Sequence, residues 1–240
     1  MSKSCCPVLE LRQYTLKPGG RDVLIALFED QFVESQEELG MRIAGTFRDA
    51  SKPDRFVWLR GFPDMESRRA ALEAFYTGPV WKANRDAANE TMIDVGNVLL
   101  LRPAGEAGSF ELPGARAARG EAPGAARVIV ATLHHFPGPV AADFAPWFQA
   151  HAVPLLAKAK TRVIGQFVTE TATNTFPRLP VREGENVFAW FAAYPDAGSA
   201  TAPLADVPGW REQVEPRLRS VAKGEPERIV LDPTPRSLLR

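Results

Sequence analysis

One order of elements is written twice in this 240-residue chain, and that repetition limits the fold more than any other feature. In the first half, Val8–Tyr14 alternates polar and apolar residues as a half-buried strand does. Pro18-Gly19-Gly20 turns the chain, and Arg21 to Leu39 carries Leu24, Leu27, Phe28 and Phe32 at helical spacing, with Gly40 as C-cap. Arg42–Arg48 and Arg55–Arg60 read as strands joined by a turn at Ser51–Asp54. Asp64 is a natural N-cap for a second helical region, which breaks at Gly78-Pro79 and resumes through Trp81 toward Met92, and Val98–Leu101 closes the half. The order strand, helix, strand, strand, helix, strand is the ferredoxin-like split βαβ.

The second half repeats it. Val128–Leu133 predicts a strand and Ala141–Ala159 a helix. Arg42-Ile-Ala-Gly45-Thr-Phe47 returns as Arg162-Val-Ile-Gly165-Gln-Phe167, and Pro63-Asp64 with Ser67 returns as Pro195-Asp196 with Ser199. Gly78-Pro79 and Trp81 are echoed by Pro208-Gly209-Trp210. The offset between copies grows from 120 to 132 after the second strand, which places an insertion at Thr171–Glu185, a loop between strands two and three. Between the copies, residues 103–126 are rich in Pro, Gly and Ala, the chemistry of a linker, with Phe110 and Leu112 as its anchors across the outside of one domain. The division expected is a domain at 1–102, a linker at 103–126 and a diverged second domain at 127–240.

The quoted motifs also carry a resemblance. Glu10-Leu-Arg12-Gln-Tyr14 with Pro18-Gly19, then Phe28 and Phe32, Gly45-Thr-Phe47, Phe56-Val-Trp58-Leu-Arg60, Arg68-Arg69 and Gly78-Pro79-Val-Trp81 resemble the NIPSNAP family over residues 8–102. The likeness is weaker over 127–236, where Arg12 and Tyr14 have no evident equivalents. It implies an α+β fold of the dimeric α/β-barrel type, in which two sheets pack face to face with helices outside. In a tandem chain the two halves can build that barrel internally, which weakens the need for a homodimer without removing it.

Alternation sorts the sheet faces, since residues two apart share a face. One face carries Leu9, Leu11, Val57, Leu59 and Phe47 and is expected to lie beneath the helices. The other carries Glu10, Arg12, Tyr14, Arg48, Trp58 and Arg60. Buried charge must be paired or ligand-bound. This face is therefore either an anion pocket, with Arg12, Arg48 and Arg60 converging against a wall of Tyr14 and Trp58, or a sheet-to-sheet interface in which Glu10 pairs with an arginine. In the second copy Ala192 stands for Arg60 and Val168 for Arg48, so a charge-reading pocket is expected once per chain.

All three histidines lie in the second half, and histidine is the usual general base near neutral pH. His151 shares a helical stripe with Phe144, Trp147, Phe148 and Leu155, which points it between helix and sheet, as a catalytic group, a haem ligand or a hydrogen-bonded core residue. His134 and His135 end a strand and project to opposite faces; His134 is a catalytic candidate at the barrel mouth. No zinc spacing, dinucleotide or phosphate loop, or nucleophile elbow occurs, and no metal site is expected.

The 29 basic and 29 acidic residues balance, which argues against nucleic-acid binding. No apolar run approaches the roughly 18–20 residues of a membrane span, and the N-terminus lacks a signal-peptide pattern, so the expected compartment is the cytoplasm. Cys5 and Cys6 are expected as reduced thiols in a frayed tail. Three classes of function remain: a NIPSNAP-type protein binding a small anionic or aromatic ligand or a protein partner; a cofactor-independent oxygenase, isomerase or cyclase acting on an aromatic or polyketide-like substrate; and a haem protein using His151.

Overall fold

The structure, a computed structural model, describes residues 5–105, 108–121 and 127–240. Its strands are β1 (Val8–Leu16), β2 (Arg42–Asp49), β3 (Arg55–Phe62), β4 (Met92–Asp94), β5 (Val98–Pro103), β6 (Val128–His135), β7 (Arg162–Thr169), β8 (Val187–Tyr194) and β9 (Glu227–Pro233). Within each half the inner strands pair antiparallel, β1 with β3 and β5, β6 with β8 and β9. The halves then join at both edges, β2 to β9 and β5 to β7. Every strand but the short β4, which hangs on β1, thus takes part in one closed antiparallel barrel. Closure removes the free edges that an open sheet would leave unpaired.

The barrel interior is the face that the sequence assigns to the helices. Leu9, Leu11, Phe47, Val57 and Leu59 meet Ile129, Ala131, Leu133, Phe191 and Leu231 inside one apolar core. The face bearing Glu10, Arg12, Tyr14, Trp58 and Arg60 lies outside, under the helices, so the expected assignment is reversed. Alternation separates two faces but cannot say which one points inward. The middle of the interior is apolar, with the charges of that parity, Arg55, Asp49 and Glu227, gathered at one end, whereas α2 and α3 bring Gln36 and Arg68 over the outer face.

The repeated glycines have a steric role in this interior. A Cβ on Gly45 would come within 2.4 Å of the Phe47 ring, and one on Gly165 within 2.6 Å of Phe110. Each sits at a register irregularity of its strand, so the backbone kinks where a ring folds over it. Phe110 itself is fully buried in the barrel core, not laid across the outside. It makes an isolated bridge with Cys5, and Leu112 packs partly against the same core. The rest of the described linker, Glu111 to Glu121, holds no helix or strand; residues 106, 107 and 122–126 of that segment lie outside the described residues. Cys6 is also buried, and its sulfur is bonded to that of Cys5, which replaces the expected frayed thiols.

The helices of the first half are α1 (Gly20–Leu27), a π-helical turn at Phe28–Phe32, α2 (Val33–Glu37), α3 (Met65–Thr77) and α4 (Pro79–Glu90). The second half has α5 (Phe144–Lys158), then a fragmented layer of α6 (Ala197–Thr201), α7 (Trp210–Gln213) and α8 (Glu215–Val221). The duplicated Pro-Asp motif is a helix start in both halves. Asp64 accepts from the Ser67 N–H at 2.6 Å, and Asp196 from the Ser199 N–H at 2.8 Å. Among the described residues no helix is long and apolar enough to cross a membrane.

Candidate functional site

Strand pairing assembles the charged face. The register sets Glu10 opposite Arg60, Arg12 opposite Trp58 and Tyr14 opposite Phe56. Glu10, Arg12, Arg60 and Arg68 have no side-chain exposure at all. Glu10 Oε2 accepts from Arg12 Nη1 at 3.0 Å and from Arg60 Nε and Nη2 at 2.9 and 2.7 Å. Its Oε1 accepts from Arg68 Nε at 2.8 Å. Burial pushes the Glu10 carboxyl up, but Arg60, Arg12 and Arg68 together outweigh it and hold the group well below the usual carboxylate range.

The charges in this cluster do not cancel. Three guanidiniums face one carboxylate, and the remaining partners are neutral: Gln36 of α2 takes Arg60 Nη1 at 2.8 Å, and Asn174 takes Arg68 Nη1 at 3.0 Å. The Trp58 ring lies between Arg12 and Arg60, whose guanidinium carbons stand 5.4 and 4.8 Å from its centroid. Arg12 Nη2 and Trp58 Nε1 are buried with no hydrogen-bond partner among the described residues.

Tyr14 forms the outer end of this cluster. Arg12 Nε donates to its hydroxyl oxygen at 3.0 Å. Burial raises the Tyr14 pKa more than Arg12 lowers it, so the phenol keeps its proton near neutral pH and remains a donor. Beyond Tyr14 opens a cavity of about 360 Å3 between sheet and helices. Its walls are aromatic: Phe28 and Phe32 from the π-helical turn, Trp58 from β3, Phe75 and Tyr76 from α3, and Trp81 from α4. The π turn sets Phe28 and Phe32 edge to face, 6.0 Å apart, on one wall. Such turns concentrate at functional sites.

The last wall comes from the other half of the chain. The insertion between β7 and β8 folds over the first-half helices. Phe176 stacks on Tyr76 with centroids 5.9 Å apart, and Thr175 Oγ1 donates to the Met65 carbonyl at 3.0 Å. Phe176, Arg178 and Leu179 all line the cavity, and Arg178 is exposed at its rim.

Of the expected site residues, Arg12, Tyr14, Trp58 and Arg60 come together. Arg60 is committed to Glu10 and Gln36, however, and is part of the support instead of a free ligand group. Arg48 does not join: its Nε donates to Asp22 of α1 at 2.8 Å on a partly exposed flank of the same face. His151 is exposed on the outer side of α5, stacked on Trp147, with Nδ1 held 2.9 Å from the Trp147 carbonyl. It is not placed to serve a helix–sheet cleft, because α5 buries Phe144, Phe148, Ala152, Leu155 and Leu156 instead. His134 is buried, but in the second half.

Sequence reasoning overlooked Arg68, Gln36 and the insertion residues. A signal existed for Arg68: it occupies the buried stripe with Ala71, Leu72 and Phe75, where an arginine needs a buried partner. Among the described residues no group of three His, Cys, Asp or Glu side chains could hold a metal ion.

Residues 9–105 match the family model of NIPSNAP. Over that stretch, about two-fifths of its length, the chain is similar to NIPSNAP proteins. Two solved structures match nearly the whole chain. A candidate monooxygenase from Lactobacillus acidophilus NCFM is 12% identical, with 95% of this chain and 94% of its own covered, at a TM-score of 0.54. A second, from Fusobacterium nucleatum, is 11% identical over 97% and 94%, at 0.55. At these identities the likeness concerns the fold. A NIPSNAP domain protein from Burkholderia xenovorans is 19% identical over 41% of this chain and 96% of its own, at a TM-score of 0.38. No curated protein matches the chain.

Proposed function

We propose that the NIPSNAP half binds a planar aromatic acid or phenolate in the cavity beside Tyr14. One observation carries this reading: a protonated phenol, polarised by a buried arginine, stands in the wall of an aromatic cavity above a cluster with more positive than negative charge. The Tyr14 hydroxyl can donate to an anionic oxygen while its own oxygen accepts from Arg12. The rings of Phe28, Trp81 and Phe176 favour a flat apolar body. Arg12 is then a positioning residue that acts through Tyr14.

The test is calorimetric titration with 1-hydroxy-2-naphthoate. Saturable binding is expected, and Tyr14→Phe should weaken it by about 1.5–3 kcal/mol, the worth of a hydrogen bond to a charged group. Equal affinity in the variant would contradict the reading.

A second reading draws on the whole-chain likeness to candidate monooxygenases. A phenolate held against Tyr14 is electron-rich, which suits a cofactor-independent oxygenase. Consumption of dioxygen by the protein with a dihydroxynaphthalene, abolished in Tyr14→Phe, would support turnover over simple binding.

A further inference from the structure

We propose that the second half carries its own small-molecule site, a crevice of about 210 Å3 beside His134 that takes a small carboxylate with a compact apolar body. The repeat places His134 on β6 where Tyr14 stands on β1, and Trp190 on β8 where Trp58 stands on β3. The chemistry at these positions differs. Trp190 Nε1 donates to His134 Nε2 at 3.2 Å. An indole N–H can only donate, so that bond fixes the tautomer: Nε2 accepts and the ring proton sits on Nδ1. Among the described residues this Nδ1–H has no acceptor, and His134 lines the crevice. Burial, with a smaller effect from His135, pushes the His134 pKa down to about 4, so the ring is a neutral donor at physiological pH.

The second group is Arg228, opposite Thr132 in the register and lining the same crevice. Its Nη1 and Nη2 donate to the carbonyls of Ala202 and Ala200 at 2.7 and 2.8 Å. No carboxylate pairs with it among the described residues; its Nε is buried short of a full hydrogen bond, with the buried Tyr194 phenol as its neutral neighbour. Thr132 Oγ1, on the same face, is unpartnered among the described residues. The other charges at the crevice are spoken for or peripheral: Glu215 pairs with Arg219, and Glu225 is exposed. Trp210 and Leu218 supply an apolar wall. A guanidinium without a carboxylate partner beside a neutral imidazole donor selects a carboxylate, and the crevice is smaller than the Tyr14 cavity, which favours a compact body.

Benzoate is the probe, followed in the whole protein through the ring nitrogens of His134 by long-range 1H–15N NMR. The expected spectrum of the free protein is that of the Nδ1–H tautomer. Benzoate should shift the Nδ1 signal saturably, methyl benzoate should not, and Arg228→Met should weaken benzoate about tenfold, roughly the loss of one charge-assisted contact. Should Arg228→Met fail to fold, Arg228→Lys keeps the charge, loses the fork and should weaken binding less. The proposal is overturned by a His134 signal that stays unshifted as benzoate is raised to its solubility limit. It is equally overturned by the same shift with the ester, or by unchanged affinity in the arginine variants. Because the His134 signal is local, benzoate entering the Tyr14 cavity leaves it unmoved, so the outcome is separate from that of the first-half reading.

Discussion

The two halves share one backbone plan and solve the outer face of their sheets in opposite ways. In the first, Glu10, Arg12, Arg60 and Arg68 form a buried ionic cluster. At the positions that the repeat makes equivalent, the second has Val130, Thr132, Ala192 and Ala200, all buried. The second half meets its helices through apolar packing, and a single histidine–tryptophan hydrogen bond stands where Tyr14 and Trp58 stand in the first. Buried ion clusters are seldom the most stable way to fill a core. The same architecture closes without one in the second half, so the barrel itself does not require the cluster, and the proposed function gives it a role at the cavity.

The comparison breaks most directly at Glu10. Glu10→Gln leaves three buried guanidiniums without a counter-charge and should destabilise the protein by about 3–5 kcal/mol in urea unfolding. A loss below 1 kcal/mol would mean that water or other groups compensate the cluster.

Acid should separate the halves by pH window. The native Glu10 carboxyl titrates far below its unfolded value near 4.3, so its contribution is complete above that pH and is lost as the pH falls further. His134 binds its proton at about 4 when native and near 6.5 when unfolded. The unfolded state therefore takes up that proton first, and stability falls between about pH 6.5 and 4. His134→Gln should flatten the upper window and leave the lower one; loss of both together would show that the halves do not titrate independently.

Phe176→Ala sharpens the comparison at the insertion, which the second half carries and whose Phe176 packs on the first. Removing the stack on Tyr76 should weaken naphthoate binding about tenfold, in line with roughly 1 kcal/mol for an aromatic pair plus lost contact area. Benzoate at the His134 crevice should be unaffected in the same titration.

The smallest effect is expected at Arg48. Its pair with Asp22 is partly exposed, so Arg48→Ala should cost no more than about 1 kcal/mol and leave naphthoate affinity unchanged. A marked loss of binding would restore the convergence of three arginines that the strand alternation predicts.

Much of the architecture was legible in the sequence, and the reasons are physical. Duplicated dipeptides marked the repeat, and its capping aspartates and kink glycines carry out the same tasks in each copy. The joining of the two sheets followed from each half having one uncovered face. Which face turned inward was not legible, since alternation carries no sign. His151 was misplaced for a related reason: the buried stripe of α5 steps through Phe144, Phe148, Ala152 and Leu156, and His151 stands one position off it, on the flank it shares with Trp147. That Arg12, Tyr14 and Trp58 would come together was legible because charged and aromatic residues shared strand parity. Gln36 and Asn174 were beyond reach, since a neutral amide becomes a cluster partner only through tertiary contacts.

The central claim is that aromatic acids are held in the first half at Tyr14. The most direct measurement is a crystal structure of the protein soaked with 4-bromo-1-hydroxy-2-naphthoate, with the bromine located by its anomalous signal. The account predicts a peak between Phe28, Trp81 and Phe176, with an acidic oxygen in hydrogen-bond reach of the Tyr14 hydroxyl. A fully occupied peak elsewhere, with the Tyr14 cavity vacant, would contradict it.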